Sequence, residues 1–141
     1  MRRAGADIEL VKALFRDTFN EVQTRAKMLY NARVDDGIAT TEAPDDLGED
    51  VIAVSAQAAD MLIATEGIEA SFVLYHLKDG AIGISARSQG NINVQLVMEK
   101  IGGGGHRTVA GAQVQNMTME DIEMAIREAA VEQLREVEEE K

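Results

Sequence analysis

The sequence predicts an α/β domain: a mixed β-sheet flanked by helices and preceded by a long N-terminal connector helix. Three observations carry that expectation. Residues 68–77 (IEASFVLYHL) form a nearly continuous apolar run of strand length, which suits a strand buried on both faces. Apolar residues recur at helical spacing on either side of it, over residues 50–65 and again after Thr118. Asp79-Gly80 and the return segment AIGISARS (81–88) read as a two-residue hairpin onto a second strand. Strands alternating with helices, plus one hairpin, imply a sheet covered by helices.

A length of 141 residues suits one domain with an appended helix. At 45% hydrophobic and 28% charged residues, the chain can bury a sizeable core. Aromatics make up only 4% and Trp is absent, so aliphatic residues, Ala and seven Met must fill it. The absence of Cys excludes a disulfide scaffold, a thiolate zinc site and cysteine catalysis. No apolar run approaches the ~20 residues of a membrane span. The opening MRRAGADIEL has no signal-peptide core. A soluble, cytoplasmic piece is expected.

Taken in order, residues 7–33 read as one helix. Val11, Phe15, Phe19, Val22, Ala26 and Leu29 recur at three- and four-residue steps and define an apolar stripe. Asp7 is the expected N-cap. The basic side chains beside the stripe are either a solvated outer face or a sign that the helix joins another unit. A short strand, 37–41, precedes an acidic loop around Pro44. The helix of residues 50–65 is carried by Val51, Val54, Ala58, Met61 and Leu62, with Gly67 as its stop. After the hairpin, Asn93 caps a short helix over 94–101, which runs into four glycines. VAGAQV (109–114) reads as a small-residue turn entering another strand. Thr118 and Asp121 form a capping box, with Met117 and Ile122 as its hydrophobic staple. Ile122, Ile126, Ala129 and Leu134 then line the buried face of the last helix.

Charge narrows the search for a site. The net charge of −11 argues against indiscriminate binding to nucleic acid. Residues 1–33 carry +3, residues 34–79 carry −10 and residues 116–141 carry −6. Only 80–115, at +2, breaks the acidic trend beyond the first helix. That is where an anion would bind.

Two features stand out there. IGGGGHRT holds four consecutive glycines, which cost backbone entropy and contribute nothing to a core. Between elements they let backbone amides converge on phosphate oxygens, with His106 and Arg107 supplying donors and charge. The plainer alternative is a flexible connection that merely ends a helix. The run matches neither a P-loop nor a dinucleotide-binding fingerprint. The second feature is Ser85-Ala86-Arg87-Ser88, where alternation puts Ser85 and Arg87 on one face. Arg87 can fork onto a phosphate, or it can serve a surface salt bridge. His76, inside an apolar strand, reads as a core or edge histidine. No cluster of His and Asp encodes a two-metal hydrolytic site, and no Ser-His-Asp order stands out. The chain can grip a phosphate but shows no means of cutting one.

ISARS, GNINVQ, VMEK and GGGGH, followed by small residues and a final helix, resemble the DHH-associated domain of the DHH phosphoesterases. The match is nearest to the membrane-bound cyclic-di-AMP phosphodiesterases that carry PAS-like and GGDEF domains. AQAAD at 56–60 and EASF at 69–72 fit the same group. On this resemblance residues 1–33 are a connector to a DHH domain, and residues 34–141 are the substrate-binding domain. It implies that Arg87 and Ser88 contact phosphate or base, that Gly103, Gly104 and Gly105 supply backbone donors, and that His106 bonds phosphate or a base edge. It implies no catalytic or metal-binding residue in this chain. Two divalent metals, typically manganese, would sit in the DHH domain. The expected ligand is a cyclic dinucleotide or short oligonucleotide, and the expected partner is that DHH domain. Two alternatives stand beside this: a module of a RecJ-like single-strand nuclease, and a non-enzymatic homodimer pairing through the helical stripe. Sparse aromatics and the acidic charge oppose a long single-strand track, so no long nucleic acid is expected.

Overall fold

The computed structural model describes residues 18–139. A six-stranded mixed sheet with strand order β1-β2-β3-β4-β6-β5 lies between two layers of helices. Chain order runs α1 (Phe19–Tyr30), β1 (Arg33–Asp35), β2 (Ile38–Glu42), a 3-10 helix (Asp45–Asp50), α2 (Val51–Ile63), β3 (Ala70–His76) and β4 (Ile82–Ser88). Then come α3 (Val94–Glu99), β5 (Gly104–Gly105), β6 (Val109–Val114) and α4 (Met119–Glu139). Strands β2 and β3 are parallel, and every other neighbouring pair is antiparallel.

Strand β3 organises both layers. All its residues except His76 are buried, as the continuous apolar run requires. Because successive side chains alternate, Phe72 and Leu74 enter one core while Val73 and Tyr75 enter the other. The first core joins the sheet to α3 and α4 through Ile92, Val97, Met98, Ile122 and Ile126. The second joins it to α1 and α2 through Met28, Val54, Ala58, Ala59 and Leu62. Among the residues expected to carry α2, Met61 alone is solvent-facing. The expected caps form: Asn93 Oδ1 accepts from Leu96 N at 3.3 Å, and Thr118 Oγ1 accepts from Asp121 N at 3.1 Å.

Four expectations need correction. The helix over 7–33 is not one continuous run. Thr18 is extended (φ −74, ψ 157) and its hydroxyl accepts the Glu21 amide at 3.1 Å, so it caps a helix that starts at Phe19. The expected cap Asp7 lies outside the described residues. The buried face of α1 also differs from the apolar stripe. Thr24, Arg25 and Met28 pack inward, while Phe19 and Val22 are 75% and 47% exposed. Two tertiary hydrogen bonds select that face: Arg25 Nη1 donates to Gln57 Oε1 at 2.7 Å, and Thr41 Oγ1 donates to the Met28 carbonyl at 2.7 Å. With Met28 in the second core, this helix packs as part of the α/β body.

The hairpins make up the third and fourth corrections. The link from β3 to β4 takes three residues, since Leu77 N bonds Ala81 O at 2.9 Å around Lys78, Asp79 and Gly80. Gly80 takes the left-handed position (φ 88) that such a loop demands. The two-residue turn is instead Asp36-Gly37 (φ 55 and 77), which folds β1 back on β2. VAGAQV is not a turn entering a strand but is strand β6 itself.

The reassigned face of α1 has a measurable consequence. Met28→Ala should destabilise the chain by about 2–5 kcal/mol, the usual result of emptying a core site. Phe19→Ser should change stability by no more than about 0.5 kcal/mol, as exposed substitutions do. Thermal melts of both variants decide between the faces, and the reverse order would restore the apolar stripe as the packed one.

Candidate functional site

The site is built where β4, β5 and β6 end together. Helix α3 stops at Gly102, whose left-handed φ of 91 lets two amides turn back on the last helical turn. Gly103 N bonds the Met98 carbonyl at 2.8 Å and Gly102 N bonds that of Glu99 at 3.2 Å, the Schellman pair. The chain then enters β5, which lies against β6 with Gly104 opposite Gly111 and Gly105 opposite Ala110. His106 N closes a two-residue turn on the Val109 carbonyl at 2.7 Å, leaving Arg107 and Thr108 at the tip.

The four glycines answer to different needs. Gly102 is the helix stop. A Cβ on Gly103 would sit 2.3 Å from the Gly111 carbonyl oxygen and 2.5 Å from Ala112 Cβ. One on Gly105 would sit 2.5 Å from Ala110 Cα, and its φ of +144 strains any L side chain. Gly104 is different: nothing among the described residues lies within 4 Å of its would-be Cβ, and its φ is not positive. The fold therefore does not require glycine at 104. His106, two residues on, is exposed.

The remaining candidates fall into place around this hairpin. Ser88, on the last pair of β4, is buried, and its hydroxyl is engaged inside the protein. It donates to the Ile92 carbonyl at 2.5 Å and accepts from Gly90 N at 2.8 Å. Its amide bonds the Thr108 carbonyl at 3.0 Å, which ties the 88–92 loop to the hairpin tip. Ser88 shapes the site and has no free hydroxyl to offer. Arg87 stands opposite Val109, at the right end of the sheet. However, its Nε donates to Asp60 Oδ1 at 2.7 Å and its Nη1 to the Ala86 carbonyl at 3.0 Å. With its side chain only 15% exposed, Arg87 serves the salt bridge to α2 in this structure. Arg107, named with His106 as a source of charge in the glycine run but not among the residues that the family resemblance implies, sits at the tip of the hairpin. Its Nε donates to the Gly90 carbonyl at 2.8 Å, and its own carbonyl accepts from Val94 N at 3.0 Å.

A hollow of about 750 Å³ lies at the opposite end of the sheet, lined by residues that include Asp45, Glu49, Ile52, His76, Lys78 and Asp79. Strand β4 separates the two ends by about 20 Å, at ~3.3 Å per residue. Three carboxylates against one lysine make that hollow a poor place for phosphate. Size and chemistry disagree here, and the chemistry favours the hairpin.

A family model described as "DHHA1 domain" matches residues 47–136, which include every element from α2 to most of α4. The chain belongs to the DHHA1 family. The domain is 42% identical over 130 residues to a cyclic-di-AMP phosphodiesterase, GdpP, of Geobacillus thermodenitrificans. That alignment takes in 92% of this chain and 20% of the relative, so the chain spans about a fifth of the relative's length. In fold it is similar to an exopolyphosphatase-related protein from Bacteroides fragilis (TM-score 0.68, 18% identity, 83% of this chain and 36% of that one). It is also similar to RecJ from Thermus thermophilus (TM-score 0.61, 16% identity, 79% of this chain and 16% of that one).

No three His, Cys, Asp or Glu side chains among the described residues of this DHHA1 domain are placed to hold a metal ion. The divalent metals that the resemblance implies do not fit these residues. Nor is any helix among the described residues long and apolar enough to cross a membrane.

The glycine assignments predict opposite outcomes for neighbouring substitutions. Gly105→Ala should destabilise the domain by about 1–3 kcal/mol, because strain and close contact both oppose a side chain there. Gly104→Ala should be neutral or stabilising by up to about 1 kcal/mol. Paired thermal melts test this, and equal losses at both positions would mean that the fold itself demands glycine at 104.

Proposed function

We propose that this DHHA1 domain holds the substrate of a cyclic-di-AMP phosphodiesterase, with the hairpin of Gly104 and His106 as the gripping surface. The parent reaction would be metal-dependent hydrolysis of the cyclic dinucleotide to linear pApA. Gly104 carries the assignment of the surface: it is the glycine of the run that packing leaves unexplained, and it faces open space. Missing side chains let a ligand reach the backbone itself, where fixed amide dipoles can meet phosphate oxygens. The exposed His106, two residues on, adds a polar donor. The substrate class rests on the relative named a cyclic-di-AMP phosphodiesterase, 42% identical across most of this chain.

In this reading the work is divided. The hairpin binds and orients the dinucleotide, and a separate DHH domain supplies the metals and the activated water. A long single-stranded nucleic acid is a poorer substrate for such a surface. Its binding wants a basic groove and stacking aromatics, whereas this chain carries net −11 with three Phe and two Tyr.

The test is a titration of the 141-residue chain with cyclic-di-AMP, followed by NMR. Shifts should centre on residues 103–107, and Gly104→Leu should weaken binding by at least about tenfold, or about 1.4 kcal/mol, at unchanged melting temperature. With manganese added, the purified chain should bind without hydrolysing. Shifts that map to the hollow around His76, or wild-type affinity in Gly104→Leu, would overturn the assignment.

A further inference from the structure

We infer that Arg107 is the charged donor that grips a ligand phosphate at this hairpin, an inference that rests on the dinucleotide-holding function proposed above. The segment from 80 to 115 holds three cations, Arg87, Lys100 and Arg107. Two are committed elsewhere: Arg87 pairs with Asp60 at 2.7 Å, and Lys100 with Glu132 at 3.3 Å. Arg107 makes no ion pair with any carboxylate among the described residues. Its Nε contact is a neutral carbonyl, so no described carboxylate neutralises its charge by direct contact. It is also solvent-exposed, at the tip of the hairpin, next to His106.

The group is held in place as well as free. Val94 N on the Arg107 carbonyl fixes its backbone, and the Gly90 carbonyl on Nε fixes the root of the guanidinium. Both Nη groups remain without a partner among the described residues. A guanidinium anchored through Nε still presents its two Nη groups to solvent, where they can fork onto two oxygens of one phosphate. Fixing the side chain beforehand lowers the entropy lost on binding. The chain as a whole is strongly acidic, so an approaching phosphate depends on this local charge. Lysine is a poor replacement, since one ammonium cannot hold the Gly90 carbonyl and fork onto a phosphate in the same geometry.

The experiment measures cyclic-di-AMP binding to the 141-residue chain and to Arg107→Gln, Arg107→Lys and Gly104→Leu, over a range of salt. Melting temperatures are taken on the same preparations. Arg107→Gln should bind about ten- to a hundredfold more weakly, and its affinity should respond less to salt. Arg107→Lys should recover only part of the loss, and neither variant should melt earlier. If Arg107→Gln keeps wild-type affinity and salt response while Gly104→Leu loses binding, this proposal fails and the hairpin function stands. A weaker Arg107→Gln with an unchanged salt response makes the residue a structural tie to Gly90, which also overturns it. Wild-type binding in all variants, or no binding by the wild-type chain at millimolar ligand, removes the hairpin function and this proposal together.

Discussion

The close approach of β5 to β6 is the constraint on which the candidate site depends. Gly103 and Gly105 lie so near Ala110, Gly111 and Ala112 that neither glycine has room for a methyl group. β5 is only two residues long, and the chain turns at once through Arg107 and Thr108. The turn is then stitched to the 88–92 loop by Ser88, Gly90 and Val94. Small residues in β6 are therefore as necessary as the glycines in β5. Burial elsewhere supports the arrangement, since Ala110 and Ala112 enter the same core as Phe72 and Ile126. The hairpin is pinned by packing on one side, and its glycine at 104 faces open space on the other.

The elements legible in the sequence were those whose signal is local. The continuous apolar run gave β3, and side chains within three residues of their targets gave the caps at Asn93 and Thr118. What depends on distant partners was not legible. The apolar stripe of α1 was a sound helical pattern, but burial went to the face that could bond Gln57 and Thr41. Asp-Gly occurs twice with the same local signal, at 36–37 and at 79–80. Only the register of the paired strands makes the first a two-residue turn and the second part of a three-residue one.

The site divides along the same line. The glycine run, His106 and the non-acidic segment around them were readable, because composition and adjacency mark them. The division of labour among the cations was not. Arg87 and Arg107 are equally charged in a sequence, and the strand end made Arg87 the natural choice. Asp60 is distant in the chain yet 2.7 Å from Arg87 in space, and no periodicity encodes that meeting. Ser88 went the same way. The resemblance implies a ligand contact for it, whereas here its hydroxyl bonds Ile92 and Gly90 within its own loop.

Two kinds of tie therefore separate a cation whose charge is neutralised within the fold from one whose charge is not. A carboxylate partner compensates charge, and a carbonyl partner orients a guanidinium while leaving its charge in place. Arg87 has both, through Asp60 and the Ala86 carbonyl, whereas among the described residues Arg107 has only carbonyl company. The difference matters more in an acidic chain than in a neutral one. Every uncommitted positive charge is outnumbered, so a phosphate meets a repulsive field unless one cation is kept unpaired at the point of contact. If the hairpin is where a phosphate docks, as proposed, a cation held at its tip by a carbonyl is what would let an acidic domain receive one.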